Sequence, residues 1–406
     1  GGGGMAEAEL GCVSREELCG GELLTFRWDG ERMVRAWMPP GHDAAKETLP
    51  CLWLNDGQNV FRDEVAFGGI SWGAAGTALH LMETGCIPRM AVIAVDHAGM
   101  RRSYDYLPQP PGDWGGMRRD MSEALGGGVA AYSERVLGEL LPWAERRFGL
   151  SPEPADRAFG GSSFGGVSAL YMAMLHPEAF STLLVESPSF WACDGRLMRD
   201  VAAHAGKAWP RRVYLAMGGC EYTATRRDTG EAGARCDGFL AQALAECAGH
   251  LEKQGVEGER LDWHVEPGAA HNERDWRRRF PRALRWLFAA RGGAVVAAAP
   301  GAAFWTRPSP VKPGRPFELY ADPRQLKLPE GGGAPQAHLG FDGWSRGIQD
   351  VSLLPAGLPR ARAEGAEWLA ALACAPEGAG SLRFAFTDGN SWDNNDGKDY
   401  ELPVEP

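Results

Sequence analysis

The sequence predicts an α/β protein with a mostly parallel, eight-stranded sheet, followed by a smaller all-β sandwich. Up to about residue 290, apolar strand-like segments alternate with helical patterns, which is typical of a parallel sheet covered by helices. Beyond residue 303, short alternating segments are separated by glycine and proline clusters, which favours a sandwich. The length of 406 residues and a hydrophobic content of 44% suit two globular domains.

Each element follows from its local pattern. Strands are expected at 23–28, 33–38, 49–55, 90–96, 157–162, 181–187, 211–217 and 261–266. Helices are expected at 73–84, 120–148, 165–176, 233–254 and 276–290. The first two strands would form an antiparallel hairpin at the edge of the sheet. The expected divisions are an N-terminal extension (1–19), the α/β domain (20–292), a linker (293–303) and the sandwich (304–406).

A G-x-S-x-G pattern lies at the junction of a predicted strand and a predicted helix. Residues 157–171 read RAFGGSSFGGVSALY, with Ser163 at the centre of the pattern. Small residues allow a tight turn, on which the serine hydroxyl would be exposed. The backbone N–H of Phe164, at the start of the helix, could then stabilise an oxyanion. The pattern therefore predicts a nucleophilic serine.

A nucleophilic serine needs a base and an acid, which follow it in the order acid, then histidine. Glu221 comes just after the strand at 211–217, and His271 follows the strand at 261–266 and a short turn. Both lie past the C-terminal end of a strand, where a parallel sheet gathers its reacting groups. We predict His271 as the base and Glu221 as its partner, with Asp228 and Asp237 as alternative acids.

Five sequence blocks, in the same order, resemble the family of α/β-hydrolases that includes esterase D and enterochelin esterase relatives. The blocks are LWLNDGQNVF (52–61), RSYDY (102–106), the segment around Ser163, ESPSFW (186–191) and GAAHNE (268–273). The resemblance covers residues 20–290. It implies an α/β-hydrolase fold, a small ester as substrate, and neither a metal nor an organic cofactor. It also implies that the backbone N–H of Gln58 is the second oxyanion donor.

Two further residues are expected beside the substrate. Trp191 is a candidate wall of the substrate pocket, although an aromatic residue after a strand is core at least as often. Arg102 is expected near the pocket as the partner of a carboxylate and not as a chemical group. Asp56 is expected to act only as a turn former. Residues 108–128, rich in proline and glycine, are a candidate lid.

Two C-terminal motifs resemble the starch-binding carbohydrate modules of families 25 and 53. They are AHLGFDGW (337–344) and FTDGNSWDNNDGKDY (386–400), within a match that covers 304–405. The resemblance implies an α-glucan partner, starch or glycogen. The implied contacts are His338, Trp344 and Trp392, with Asn395 and Asp396 as neighbouring polar groups. An indole face suits a glucose ring, but the tryptophans could instead be core and 393–397 a turn.

Charge and cysteine content narrow the partners and the compartment. The net charge of −11 argues against binding to nucleic acid or to an anionic membrane. Nine cysteines without CxxC spacing indicate reduced thiols in an intracellular compartment, not a disulfide framework or a zinc site. The sequence shows no apolar stretch long enough to span a bilayer and no signal-peptide pattern. The expected location is the plastid stroma if the glucan is starch, and otherwise the cytoplasm.

The leading hypothesis is a serine carboxylic-ester hydrolase that its C-terminal module targets to an α-glucan. Two alternatives remain open. The chain could be a non-catalytic α-glucan-binding scaffold, or it could be an esterase or thioesterase that acts on a soluble substrate.

Overall fold

The computed structural model describes residues 10–30, 32–109, 126–227, 230–288, 303–307, 309–329, 335–355 and 369–405. The chain forms two compact units, one of Gly1–Gly76 with Arg89–Phe280 and the other of Thr77–Pro88 with Pro281–Pro406. Several predicted features lie outside the described residues, namely 1–9 of the extension, 110–125 of the candidate lid, Asp228, and 293–302 of the linker.

The first unit is built on one large, mostly parallel sheet. Its strands are β1 (Gly11–Leu18), β2 (Gly21–Asp29), β3 (Arg32–Met38), β4 (Cys51–Asn55), β5 (Ala91–Val95), β6 (Arg157–Ser162), β7 (Thr182–Glu186), β8 (Arg212–Gly218) and β9 (Leu261–Glu266). They follow the order β1-β2-β3-β5-β4-β6-β7-β8-β9. The β1–β2, β2–β3 and β3–β5 pairs are antiparallel, and all pairs from β5 to β9 are parallel. The predicted α/β fold is confirmed.

The prediction of eight strands is wrong by one, because β1 adds a ninth strand at the edge. The β2–β3 hairpin is present, but β1 lies outside it. The residues of β1 are exposed or half-buried throughout, so the strand has no apolar face that a pattern search could detect. Its ladder with β2 fixes it in place, and its charged side chains suit an edge that must not pair with other chains.

Helices cover the sheet. They are α1 (Ala74–Glu83), α2 (Arg102–Tyr106), α3 (Val129–Arg135), α4 (Leu141–Phe148), α5 (Phe164–Leu175), α6 (Ala192–Ala203), α7 (Glu221–Arg226), α8 (Glu231–Lys253) and α9 (Glu273–Phe288). Every residue of β4, β5, β6 and β7 is buried, as expected for central parallel strands. Within the described residues, no helix combines the length and the apolarity needed to cross a membrane.

The second unit contains two antiparallel sheets that share one apolar core. The strands are β10 (Phe304–Arg307), β11 (Pro316–Ala321), β12 (Gln336–Phe341), β13 (Arg346–Ser352), β14 (Leu354–Pro355), β15 (Leu369–Cys374), β16 (Ser381–Thr387), β17 (Trp392–Asp393) and β18 (Tyr400–Pro403). One sheet has the order β10-β11-β15-β14, and the other has β13-β12-β16-β17 with β18 also paired to β16. Phe317, Leu339 and Phe384 lie in the common core.

A buried ionic cluster lies within the second unit. Glu318 on β11 is fully buried, and its carboxylate accepts hydrogen bonds from Arg285 of α9 and from the hydroxyl of Tyr320. The thiol of Cys86 donates to the same carboxylate at 2.8 Å. Burial alone would raise the pKa of Glu318, but the charge of Arg285 holds it below its ordinary value. Segments far apart in sequence therefore meet at one buried carboxylate.

Close packing between β6 and α5 gives a test of the fold. A Cβ on Gly161 would lie 2.8 Å from the backbone of Gly165. We expect Gly161→Ala to lower the free energy of unfolding by about 1–3 kcal/mol, measured by chemical denaturation. Gly249→Ala in α8 is the matched control, because no atom lies within 4 Å of its added Cβ. It should raise stability by up to about 1 kcal/mol. Equal stability of the two variants would contradict this packing.

Candidate active site

Ser163 occupies a sharp turn between β6 and α5. Its backbone angles are φ 57° and ψ −124°, a strained conformation that lifts the side chain above the C-terminal edge of the sheet. Asn55, at the end of β4, donates from its amide to the carbonyl of Gly165 at 3.0 Å and so holds the far side of the turn. A Cβ on Gly165 would lie 3.1 Å from the Cβ of Asn55, which explains the small residue there.

The two other predicted catalytic residues are in direct contact. Glu221 is the first residue of α7, just beyond β8, and its Oε2 lies 2.5 Å from Nδ1 of His271, beyond β9. Because β6, β7, β8 and β9 are neighbours in this order, Ser163 and this pair follow strands at the same edge of the sheet. Among the described residues, the Ser163 hydroxyl hydrogen-bonds to Ser189 Oγ, at 3.3 Å, and not to His271.

Ser187 positions the carboxylate of Glu221. This serine is fully buried with φ 46°, and its hydroxyl donates to Glu221 Oε1 at 2.5 Å. The N–H of Gly218 donates to the same oxygen at 2.7 Å, which leaves Oε2 for His271. Burial alone would raise the pKa of Glu221, but the hydrogen bonds from His271, Ser187 and Gly218 hold it below its ordinary value. Glu221 is therefore ionised at neutral pH.

Below Ser187, the buried guanidinium of Arg279 in α9 joins two strand ends. Its nitrogens donate to Glu186 Oε2 at 2.8 and 2.9 Å, and to Glu266 Oε2 at 2.9 Å. These glutamates are the last residues of β7 and β9. Burial raises the pKa of Glu186 to about 7, even with Arg279 beside it. Trp276, one helical turn before Arg279, donates from its indole N–H to Ser187 Oγ at 2.9 Å.

The roles of Ser187 and Arg279 are not evident from the sequence. Ser187 belongs to the ESPSFW block, so its place beside a strand end was visible, but its partner was not. Helix α9 carries several arginines in an amphipathic pattern, which is typical of a solvated face, yet the side chain of Arg279 is only 3% exposed. A buried arginine can be recognised only once its carboxylates are known, because the pairs join residues 93 and 13 positions apart.

The two predicted oxyanion donors lie past adjacent strands, β4 and β6. Phe164 is the first residue of α5, and Gln58 lies in a short 3-10 turn, Gly57–Asn59. Among the described residues, neither backbone N–H has a hydrogen-bond acceptor, as is usual at the start of a helix. The side chain of Gln58 accepts from the backbone N–H of His97 at 3.2 Å, which fixes the turn.

Arg102 pairs with Asp56, a residue expected only to form a turn. Two guanidinium nitrogens of Arg102 each lie 2.7 Å from a carboxylate oxygen of Asp56. Burial alone would lower the pKa of Arg102, but the charge of Asp56 raises it. The guanidinium also stacks over the ring of Phe164, 5.2 Å from its centroid. The pair therefore braces the two turns that carry the candidate oxyanion donors.

Trp191 is exposed, and Asp237 does not face the histidine. The Trp191 side chain, just before α6, is 58% exposed and contacts the ring of Phe164 at a centroid distance of 5.8 Å. Asp237 accepts hydrogen bonds from the N–H of Tyr222 and the hydroxyl of Thr223, at 2.6 and 2.5 Å. Asp237 therefore stabilises the start of α7, while Glu221 makes the contact with His271.

In the second unit, the three predicted glucan-binding rings form one cluster. His338 stacks on Trp344 at a centroid distance of 4.9 Å and meets Trp392 edge-on at 5.5 Å. Nδ1 of His338 lies 2.6 Å from Asp350, and the indole N–H of Trp344 donates to Asp399 at 3.0 Å. Trp392 is 53% exposed, and neither Trp344 nor Trp392 is among the core residues that the two sheets share.

Asn395 and Asp396 lie in the neighbouring turn, both with positive φ. The Asn395 amide donates to the carbonyl of Asp399, whose carboxylate also accepts from Trp344. Asp396 forms an exposed ion pair with Lys327 at 3.1 Å. Asp399 therefore links Asn395 to the ring cluster, while Asp396 is bonded away from it.

Comparison with known proteins identifies the first unit. A protein family described as "Putative esterase" matches residues 27–287, more than half of the chain. The chain belongs to this esterase family. The match spans β3 to β9 and includes Ser163, Glu221 and His271.

Individual relatives are distant. Uncharacterized protein YbbA of Bacillus subtilis (strain 168) is 20% identical over 266 residues, which cover 64% of this chain and 93% of that protein. Iron(III) enterobactin esterase of Dickeya dadantii (strain 3937) is 28% identical over 176 residues, 39% of this chain and only 35% of that protein. Among solved structures, siderophore hydrolase EstB of Aspergillus nidulans has a TM-score of 0.51 at 16% identity, covering 66% of this chain and 96% of EstB. EstB therefore shares the fold.

Removal of the Ser187 hydroxyl tests the carboxylate network. We expect Ser187→Ala to lower the free energy of unfolding at pH 7 by about 1.5–3 kcal/mol, since the lost bond is to a charged group. The pKa of Glu221 in the folded chain lies below its ordinary value of 4.5. Its stabilising contribution is therefore complete above about that pH and is lost as the pH falls through the folded pKa. The difference in the free energy of unfolding between wild type and Ser187→Ala should therefore become smaller in acid.

Ser168→Ala is the matched control for Ser187→Ala. Ser168 is also fully buried, but its hydroxyl has no hydrogen-bond partner among the described residues. This variant should unfold with wild-type stability or slightly above it. Denaturant titrations from pH 3 to pH 8 give both comparisons. A loss in Ser187→Ala that does not vary with pH would argue against the assigned bond to Glu221.

Proposed function

We propose that the first unit is a serine esterase with Ser163 as nucleophile, His271 as general base and Glu221 as the acid of the triad. The observation that carries the proposal is the contact between Glu221 Oε2 and His271 Nδ1, at the same sheet edge as the strained serine turn. A carboxylate on Nδ1 keeps the proton there, so Nε2 is free to accept the proton of the serine.

In the proposed reaction, the Ser163 hydroxyl exchanges its hydrogen-bond partner. The Ser163 hydroxyl turns from Ser189 toward Nε2 of His271, gives up its proton, and attacks the ester carbonyl. The N–H groups of Phe164 and Gln58 stabilise the negative oxygen of the tetrahedral intermediate. His271 then protonates the leaving alcohol, and a water molecule activated by the same imidazole releases the acyl group from Ser163.

Membership of the esterase family supports a carboxylic ester as the substrate. The relative from Dickeya dadantii, which is 28% identical over 176 residues, carries the name of an esterase. The alternative of a non-catalytic scaffold is disfavoured, because Glu221, His271 and Ser187 form a bonded chain that glucan binding alone does not require.

Ser163→Ala tests catalysis. We expect a loss of at least about a thousandfold in kcat/KM on short-chain esters, because the nucleophile itself is removed. Ser162→Ala is the control, since Ser162 is the adjacent serine of the same motif but is buried at the end of β6. A fluorophosphonate should label wild type and Ser162→Ala, and mass spectrometry should locate the adduct on Ser163. Equal hydrolysis by wild type and Ser163→Ala would refute the proposal.

We propose further that the second unit binds an α-glucan, starch or glycogen, through the ring cluster of His338, Trp344 and Trp392. Alternation along β12 supports this, because Ala337 and Leu339 are buried while His338 points to the other face. The Trp344 ring packs against Gly340 of β12, where the Cβ of any other residue would clash with the indole. The exposed ring of Trp392 and the half-buried rings of His338 and Trp344, with carboxylates beside them, suit the apolar and hydroxyl surfaces of glucose.

Co-sedimentation with granular starch or precipitated amylose tests the glucan surface. We expect Trp344→Ala and Trp392→Ala each to weaken binding roughly tenfold, because aromatic side chains dominate such surfaces. Ile348→Ala is the control for Trp392→Ala, because Ile348 is an apolar residue of the same unit with similar exposure, 59% against 53%. Esterase activity on a soluble ester should survive in both tryptophan variants. If the double tryptophan variant pellets like wild type, glucan targeting is wrong and an esterase for soluble substrates remains.

A further inference from the structure

An apolar groove is lined in part by Trp191, whose ring contacts that of Phe164, the residue after the candidate nucleophile. It has a volume of about 400 Å³ and lies between α6 and α8. Its lining includes Trp191, Met198 and Phe239. We propose that this groove holds an uncharged, bulky apolar arm of the ester, so that aromatic and medium-chain esters are the preferred substrate class. The inference rests on the proposed role of Ser163 as the nucleophile.

The groove is built from aromatic side chains that the fold leaves uncovered. Trp191 and Phe239 are 58% and 59% exposed, whereas most large apolar side chains of this unit are buried. Phe239, Gln242, Ala243 and Glu246 occupy one face of α8, and all four line the groove. Leu244, Cys247 and Leu251 on the same helix belong to the core. Packing therefore does not require the ring of Phe239.

Trp191 links the groove to the region of the reacting groups. Ser189, whose hydroxyl contacts Ser163 Oγ at 3.3 Å, lies two residues before Trp191. The Trp191 ring also contacts the ring of Phe164, the candidate oxyanion donor. An ester carbonyl placed between Ser163 and the N–H of Phe164 therefore has one arm next to Trp191, at the mouth of the groove.

The acidic side chains that line the groove favour an uncharged arm of the ester. The two charged side chains in the described lining, Asp194 and Glu246, are both acidic. Asp194 forms a long ion pair with Arg199, at 3.8 Å, and Glu246 accepts from the Gln242 amide at 2.8 Å. An arm with a carboxylate or phosphate would meet like charge at the rim, whereas an apolar arm gains contact with Trp191 and Phe239.

Chain-length selectivity tests the groove. The p-nitrophenyl esters of acetate and octanoate are compared on wild type, Phe239→Ala and Leu175→Ala. We expect Phe239→Ala to lower the octanoate-to-acetate ratio of kcat/KM at least about tenfold, through loss of apolar contact to the longer arm. Leu175→Ala changes an exposed residue of α5 that is absent from the groove lining, and it should keep the wild-type ratio. A second series, methyl and phenylethyl butyrate, examines the alcohol arm in the same way.

Charge selectivity gives an independent measurement. Ethyl hexanoate and the monoethyl ester of adipate have acyl arms of equal length, but only the adipate arm is anionic. The Asp194→Asn, Glu246→Gln double variant should raise the adipate-to-hexanoate ratio of kcat/KM at least about threefold at low salt. The gain should shrink at high salt, since the charges at the rim are exposed and screened.

The outcomes separate this inference from the proposed function. Fluorophosphonate labelling at Ser163 shows that each variant retains a folded site. If Ser163→Ala is inactive but Phe239→Ala changes neither the acyl nor the alcohol series, the groove does not select the substrate and the inference is wrong. An unchanged adipate ratio in the double variant would likewise overturn the charge argument. If Ser163→Ala remains fully active, the proposed function itself fails.

Discussion

The site depends on one buried guanidinium. Arg279 binds the carboxylates that end β7 and β9, and the same helix sends Trp276 to Ser187. Removing one partner of such a buried pair leaves an unmatched charge, which costs several kcal/mol. Ser187 orients Glu221, and Glu221 in turn orients the imidazole of His271. The position of the imidazole therefore depends on an ion pair that does not contact the substrate. Helix α9 is thus a structural support for the edge where the chemistry is proposed.

Features that depend on short, continuous segments could be predicted from the sequence. The alternation of strand and helix, the turn at Ser163 and the positions of Glu221 and His271 after strand ends all follow from short segments read in order. Edge strand β1 escaped prediction, because hydrogen bonds to β2 stabilise it and no buried face marks it. Ser187 and Arg279 escaped because their roles arise only when distant strand ends meet.

Asp56 has two roles, and its local sequence indicates only one of them. Asp-Gly does form a turn after β4, with Asp56 in the left-handed region, as its residue type suggests. Its carboxylate is nevertheless buried against Arg102, 46 residues away. Turn formation is a property of the dipeptide, whereas the ion pair is a property of the tertiary fold. The sequence separates the two residues, and the sheet brings them together.

The buried carboxylate of Glu318 limits where the sandwich can be separated from the chain that precedes it. Its neutralising arginine, Arg285, and a donor thiol, Cys86, both come from chain segments that precede the first strand of the sandwich. A fragment that begins just before β10 would lack both of these partners, and the carboxylate of Glu318 would lose its contacts with Arg285 and Cys86. The strands of the sandwich therefore depend on the preceding segments, which supply Arg285 and Cys86.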